Sequence, residues 1–164
     1  MTFEEYQKAA VSFRTDTANN EEYLTLGLIA EVGEAAGKLA KRVRDDVWDE
    51  KAFIKELGDI LWFVANLADY YDRENCTKFS AELKDCFEAE VDDERFDEDI
   101  MRLLVYWVGF FLDGEGWRLT DIVFEVGSIA KRHGYTLEQV AEINIAKLRD
   151  RQARGVIKGD GDER

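Results

Sequence analysis

Between Leu26 and Asp59 the sequence twice sets two acids three residues apart inside an apolar helical pattern, first Glu31 with Glu34, then Glu56 with Asp59. Positions three apart on a helix are neighbours on one face, about one turn apart. Each pair therefore presents two carboxylates side by side. Leu28, Ile29 and Val32 surround the first pair and Ile60, Leu61 and Phe63 follow the second, so both faces are expected to be partly buried. Carboxylates crowded in low dielectric repel and resist ionisation unless a cation sits between them. Hard divalent cations take oxygen ligands, and Mg²⁺ favours a few carboxylates with water and substrate phosphates. The pairs point to a metal site for a phosphate substrate. The competing reading is a surface lattice of ion pairs with Lys38, Lys41, Arg42 and Lys55. Two pairs on consecutive helices, with Gly33 and Gly58 inside the motifs to allow close helix approach, favour the metal.

No proline interrupts the 164 residues, which suits long helices. A 46% hydrophobic content is that of a globular chain, and the length suffices for one domain with its own core. The formal charge of −14 argues against stable binding to nucleic acid or to an anionic membrane. Cys76 and Cys86 lack metal-ligand spacing and read as reduced thiols of a cytoplasmic protein. The first thirty residues lack signal-peptide character, and no stretch reaches membrane-span length.

Thr2 with Glu5 is a capping box that opens a first helix, expected to end near residues 14–17. Asn19 with Glu22 signals the start of a second, running to about Arg44. Asp49 caps a third, running to about Tyr71. The short link makes helices two and three antiparallel neighbours and lets four carboxylates surround one cavity. Residues 82–99 carry ten acids and two bases and read as solvated surface or mobile linker around short helices. Ile100–Leu112 reads as a buried helix, with a turn at Asp113–Gly116. Leu57–Val64 resembles Leu119–Val126 at a constant offset, with Arg118 where Glu56 stands in the first copy. A duplication or a chance likeness of two apolar helices both account for this. His133 precedes a Gly134 cap and reads as a helix-terminal residue rather than a catalyst. Thr136 with Gln139 opens a last helix, expected from Leu137 to about Arg154, with Leu137, Val140, Ile143 and Leu148 facing the bundle. Lys147–Lys158 holds five bases and one acid, a basic island in an acidic chain. It suits either phosphate binding or simple complementarity to the helix C-terminus. Residues 155–164 read as a mobile tail.

Glu31-x-x-Glu34 on one helix and Glu56-x-x-Asp59 on the next resemble the metal motif of the MazG-type all-α nucleotide pyrophosphohydrolases. Asn144–Arg151, followed by Arg154 and the closing Gly-Asp-Gly-Asp text, is similar to the C-terminal segment of bacterial and phage members. The likeness covers roughly residues 20–70 and 119–164, and a segment of about fifty residues between them departs from it. It implies an all-α bundle of five to seven helices, one domain over 1–164, with an atypical helical insertion at about 72–118. The active site would lie between antiparallel helices two and three. It further implies hydrolysis of a nucleoside triphosphate to the monophosphate and pyrophosphate with Mg²⁺, or Mn²⁺ in its place, at two or three ions per site. Glu31, Glu34, Glu56 and Asp59 would hold the metal, and a Glu of the first pair would orient the water. Lys38, Lys147, Arg151 and Arg154 would hold phosphates and Asn144 a sugar or base. Trp62 or Trp48 would stack on the base, although core packing is the commoner use of such a residue. Some phage-type members, the MazZ branch, prefer guanine triphosphates, so dGTP or GTP comes first and dUTP or dCTP next. Two helices cannot enclose a nucleotide, and Ile100–Leu112 offers more apolar surface than a small bundle needs to bury. A homodimer or homotetramer is expected, in the cytoplasm, or the host's cytoplasm if phage-encoded. A different function class is an acidic helical binding module, such as a nucleic-acid mimic without catalysis. It would need neither metal nor nucleotide.

Overall fold

The computed structural model describes residues 1–89 and 94–156. Among them every regular element is helical: α1 (Phe3–Ser12), α2 (Glu21–Asp45), α3 (Glu50–Glu74), α4 (Phe79–Glu88), α5 (Asp97–Leu112), α6 (Leu119–Arg132) and α7 (Leu137–Ala153), with short 3-10 turns at Asp16–Ala18 and Gly116–Arg118. The all-α expectation holds. The expected mobile tail over 155–164, with Lys158, falls outside the described residues from 157 onward.

The caps read from the sequence set most boundaries. Thr2 and Glu5 form a capping box on α1, and Thr136 and Gln139 form another on α7. Asn20, one residue later than expected, accepts the Tyr23 N–H at the start of α2. The Asp49 carboxylate accepts the Ala52 N–H at the start of α3. Asp46 adopts a left-handed φ of 53° and ends α2, so only four residues separate α2 from α3 and the two pack side by side. Gly134, at φ 77°, turns the chain out of α6.

α3 is the central element, with neighbours in α1, α2, α4, α6 and α7. Its buried residues, from Phe53 and Ile54 through Leu57, Ile60 and Val64 to Leu67, cover most of its circumference. The close approach of α2 comes from Gly27: a Cβ there would lie 2.1 Å from the Phe63 ring. Two expectations need correction. Gly33 faces open space and permits no close contact, whereas Gly58 does. α5 is buried on one stripe only, Ile100, Met101, Leu104, Val108 and Phe111, while Val105, Tyr106 and Leu112 are exposed. On α7, Ile145 and Ala141 are buried with Leu137 and Val140, while Ile143 and Leu148 are only partly covered.

Among the described residues of the acidic segment 82–99, Leu83, Phe87 and Asp97 are buried. The Asp72 carboxylate accepts the Phe79 and Ser80 N–H groups and the Thr77 hydroxyl, anchoring the start of α4, whose Leu83 and Phe87 enter the core. Asp97 is buried and receives Arg42 Nη1 (3.1 Å), Arg132 Nε (3.0 Å) and His133 Nε2 (3.1 Å). His133 Nδ1 lies 3.2 Å from Glu50. Both ring nitrogens face carboxylates, so only the imidazolium satisfies both contacts. His133 is therefore a helix-terminal brace, as expected, and ties α6 to α3 and α5.

The bond to Asp97 raises His133 above its ordinary value against the opposing effect of burial, with Glu50 adding to the rise. Burial pushes Asp97 up, but the His133 and Arg132 bonds outweigh it and hold the carboxyl below the usual range. The Asp97 contribution is therefore present above its unfolded value and lost as pH falls through the lower folded one. The His133 contribution is full below its unfolded value and lost as pH rises through the higher folded one. Asp97→Asn should cost about 3 kcal/mol, because three charged donors then face a neutral amide. Urea denaturation should show the gap to wild type widest at mildly acidic pH and narrower at pH 9; a gap that ignores pH would refute the network.

Candidate active site

The acidic pairs lie on the facing sides of α2 and α3. Oxygens of Glu31, Glu56 and Asp59 all fall within 4.8 Å of one another, the one such cluster of potential metal ligands among the described residues. Glu56 is fully buried, and Glu31 and Asp59 are half-buried. Glu34 does not join them: one turn beyond Glu31 it is exposed. The two faces of α2 explain this. The face toward α3 carries Glu31, and three residues on the helix has already begun to turn toward solvent.

The chain supplies its own cations to this cluster. Lys38 Nζ lies 3.0 Å from Glu56 Oε1, and Lys147 of α7 pairs with Asp59. Asn144 Nδ2 donates to Asp59 Oδ1 at 2.9 Å, and the Tyr6 hydroxyl donates to Asn144 Oδ1 at 3.2 Å. An ionised Asp59 can only accept, so the Asn144 amide must turn its nitrogen to Asp59 and its oxygen to Tyr6. Tyr6 thereby fixes Asn144, and Asn144 fixes Asp59. The close approach of α7 depends on Gly58, where a Cβ would lie 2.9 Å from Asn144 Cβ.

Burial, then the charges of Asp59, Glu34 and Glu56, push Glu31 up to about 8, while Lys147 opposes the shift. Burial, with Asp59 adding, raises the Tyr6 hydroxyl far above its ordinary value, so it remains a donor at any working pH. Crowded, partly buried carboxylates with adjustable lysines form a place where a divalent cation relieves repulsion.

The remaining sequence candidates are placed differently. Arg151 is half-buried, and Arg154 is exposed and pairs with Asp150; they follow Lys147 by about 6 and 10 Å along α7. Trp62 is buried, with its indole N–H donating to the Ala10 carbonyl at 3.1 Å and its ring edge-on to Phe63. Trp48 packs on Phe53 and His133 under the Arg42 guanidinium. Asn144 serves Asp59 and Tyr6. Tyr6 carries no sequence signal for this role, since within α1 it is one more core-facing aromatic. The α6 likeness to α3 differs where it matters: Arg118 bonds Asp121 at 3.0 Å, so an ion pair stands where α3 crowds two carboxylates.

A family model described as the MazG nucleotide pyrophosphohydrolase domain matches residues 19–88. That segment contains all four acids, Lys38 and Trp62; Tyr6, Asn144 and Lys147 lie outside it. The Gene 37 protein of Mycobacterium phage L5 is 39% identical over 62 residues, 35% of this chain and 54% of that protein. The chain thus spans about half the length of the curated relative it matches. No solved structure matches the chain.

Two outcomes test this geometry. In metal-free buffer the Glu31 carboxyl titrates near 4.5 when unfolded and near 8 when folded. The folded state holds the extra proton between these values, so this contribution is full below pH 4.5 and lost as pH rises through 8. The thermal midpoint of the metal-free protein should therefore fall across this window, and Glu31→Gln should flatten the fall; an equal slope in the variant counts against the site as drawn. Gly58→Ala should cost on the order of 1–3 kcal/mol by wedging α7 from α3. It should lower the denaturant midpoint and weaken Mn²⁺ binding by calorimetry, and unchanged binding would show that Asn144 does not position Asp59.

Proposed function

We propose, from the match of residues 19–88 to the MazG nucleotide pyrophosphohydrolase domain model, that this chain hydrolyses nucleoside triphosphates to monophosphate and pyrophosphate with a divalent metal. The observation that carries this reading is the convergence of Glu31, Glu56 and Asp59 from two helices to within 4.8 Å. The donor set is made only of hard carboxylate oxygens, which fits Mg²⁺, with Mn²⁺ as a substitute. Glu31, Glu56 and Asp59 are the residues to hold it, two or three ions in all, with Glu34 completing the set at the solvent edge. When bound, the metal would neutralise phosphate oxygens and polarise a water for attack at the α-phosphorus.

The chain's own groups do the rest. Lys38 and Lys147, which sit on Glu56 and Asp59, are positioned to turn to phosphate oxygens as substrate enters. Arg151, one turn beyond Lys147, extends this positive edge toward the outgoing pyrophosphate, and Arg154 continues it. Glu34, exposed beside Glu31, would orient the attacking water or take its proton. Asn144 and Tyr6 keep Asp59 aimed at the site. Guanine triphosphates head the substrate panel, followed by dUTP and dCTP, and the working form is a homodimer or homotetramer. No helix among the described residues is long and apolar enough to cross a membrane.

Glu56→Gln keeps size and shape but removes a charge that the ion needs. Turnover with Mg²⁺ across the eight common triphosphates should fall about a thousandfold or more. Helicity should persist. Glu31→Gln with Glu56→Gln should lose far less than the product of the single effects, because the carboxylates act as a set. The phosphorus product should be pyrophosphate. Turnover within a few fold of wild type in Glu56→Gln would return the acids to the ion-pair lattice and favour an acidic binding module.

A further inference from the structure

The first turns of α1 and α7 and the last turns of α4 and α6 leave a cavity of about 730 Å³ between them. Leu137, on its wall, stands two turns of α7 before Asn144, about 10 Å along the helix. None of the lining residues belongs to the carboxylate cluster. The volume is that of sites that hold small organic ligands, about 300–1,000 Å³. Phe87 and Leu137, both buried, and the half-buried Tyr135 make its apolar wall.

The rim carries Glu5, Glu88, Glu138 and Lys131. Glu5 accepts the Thr2 N–H, Glu138 pairs with the Met1 amino group, and Lys131 is already engaged. Glu88 is the acid of the rim that makes no hydrogen bond or ion pair with a described residue. Lys84, one turn back on α4, acts on it only through space and is bonded to Glu4 at 2.8 Å. Glu88 is also the last residue of α4, where the negative end of the helix disfavours a carboxylate. A cation brought to this rim relieves both effects, and the Phe87 and Tyr135 rings suit a flat apolar body attached to it.

The cavity wall leads to the carboxylates. The Phe87 ring stacks on Tyr6, with centroids 6.3 Å apart and 14° between the planes. The Tyr6 hydroxyl has one proton and two acceptors, Asn144 Oδ1 at 3.2 Å and the Gly58 carbonyl at 3.5 Å. Only the first arrangement holds Asn144 on Asp59. We propose that this cavity is a second ligand site, for an organic amine with a flat apolar body, and that filling it tightens metal binding at Asp59. A body packed on Phe87 fixes the Phe87–Tyr6 stack and with it the bond to Asn144. The ordering that Asp59 requires is then already in place when the metal arrives, which makes the two ligands cooperate without a large movement. The cooperation is reciprocal, each ligand raising the affinity of the other by the same factor. The site itself goes beyond the catalytic reading; its link to Asp59 rests on that reading.

Dansylcadaverine, a dansyl ring carried on an alkyl amine, tests it, with dansylglycine, the same ring on a carboxylate, as its counterpart. In physiological salt, which screens diffuse attraction to an acidic surface, dansylcadaverine should bind with blue-shifted emission and dansylglycine about tenfold or more weakly. Glu88→Lys and Tyr135→Ala should each weaken dansylcadaverine about tenfold with helicity kept by circular dichroism. Glu22→Lys, the same charge change on α2, should leave binding unaltered. Saturating dansylcadaverine should tighten Mn²⁺ binding by calorimetry about five- to tenfold. Tyr6→Phe, which keeps the ring and loses the hydroxyl, should bind the dye as wild type does and show no such gain. Equal binding of the two dyes, or binding indifferent to Glu88→Lys and Tyr135→Ala, overturns the site. Mn²⁺ affinity unchanged or lowered by the dye, or a gain that survives in Tyr6→Phe, overturns the link to Asp59. A wild type that binds dansylcadaverine at this rim but no Mn²⁺ overturns the catalytic reading and the link, and upholds the site.

Discussion

The constraint at the centre of the molecule is that α2 and α3 hold three carboxylates together in a partly buried place. Like charges within 4.8 Å repel strongly where water is scarce. Two lysines and a raised Glu31 offset that repulsion in the structure. One lysine comes from α2 itself. The other must come from α7, so the last helix is recruited to the site by charge as well as by apolar packing. Glycines at the two closest contacts, Gly27 against Phe63 and Gly58 against Asn144, set how near the three helices come.

This explains how the site divides along the chain. The matched segment, 19–88, supplies the carboxylates, but Asp59 is aimed by Asn144 and Tyr6, which lie beyond its two ends. A short acidic motif therefore describes where the charge is, and the flanking helices decide which way it points. The likeness between α3 and α6 shows the alternative: with Arg118 in place of a second acid, Asp121 is paired by the residue that precedes its own helix.

Much of this was legible in the sequence because it is local. Caps at Thr2, Asp49 and Thr136 and the break at Asp46 depend on a few neighbouring residues, and i,i+3 spacing places Glu56 and Asp59 on one face without tertiary information. Glu34 did not follow its partner into the cluster, because residues three apart are still turned about 60° from one another around the helix. Gly58 and Gly33 look alike in sequence, and only the arrival of α7 distinguishes them. Asp97 sits among ten acids, yet Arg42, Arg132 and His133 converge on it from elements distant in sequence. Tyr6 is one more aromatic in a stripe until Asn144 reaches it.

The same geometry explains why α2 has a face left over. α3 covers one side and α5 an adjacent one, and the bonds at the ends of α2, Arg42 to Asp97 and Glu21 to Tyr71, hold α5 and α3 in place. A helix has room for a third neighbour, and no described element fills it. Moving α5 over the exposed row would break the Asp97 network, and moving α3 would open the carboxylate cluster. The apolar row of α2, with Leu26, Ile29 and Val43, thus lies at the surface between two polar networks, and no described element covers it.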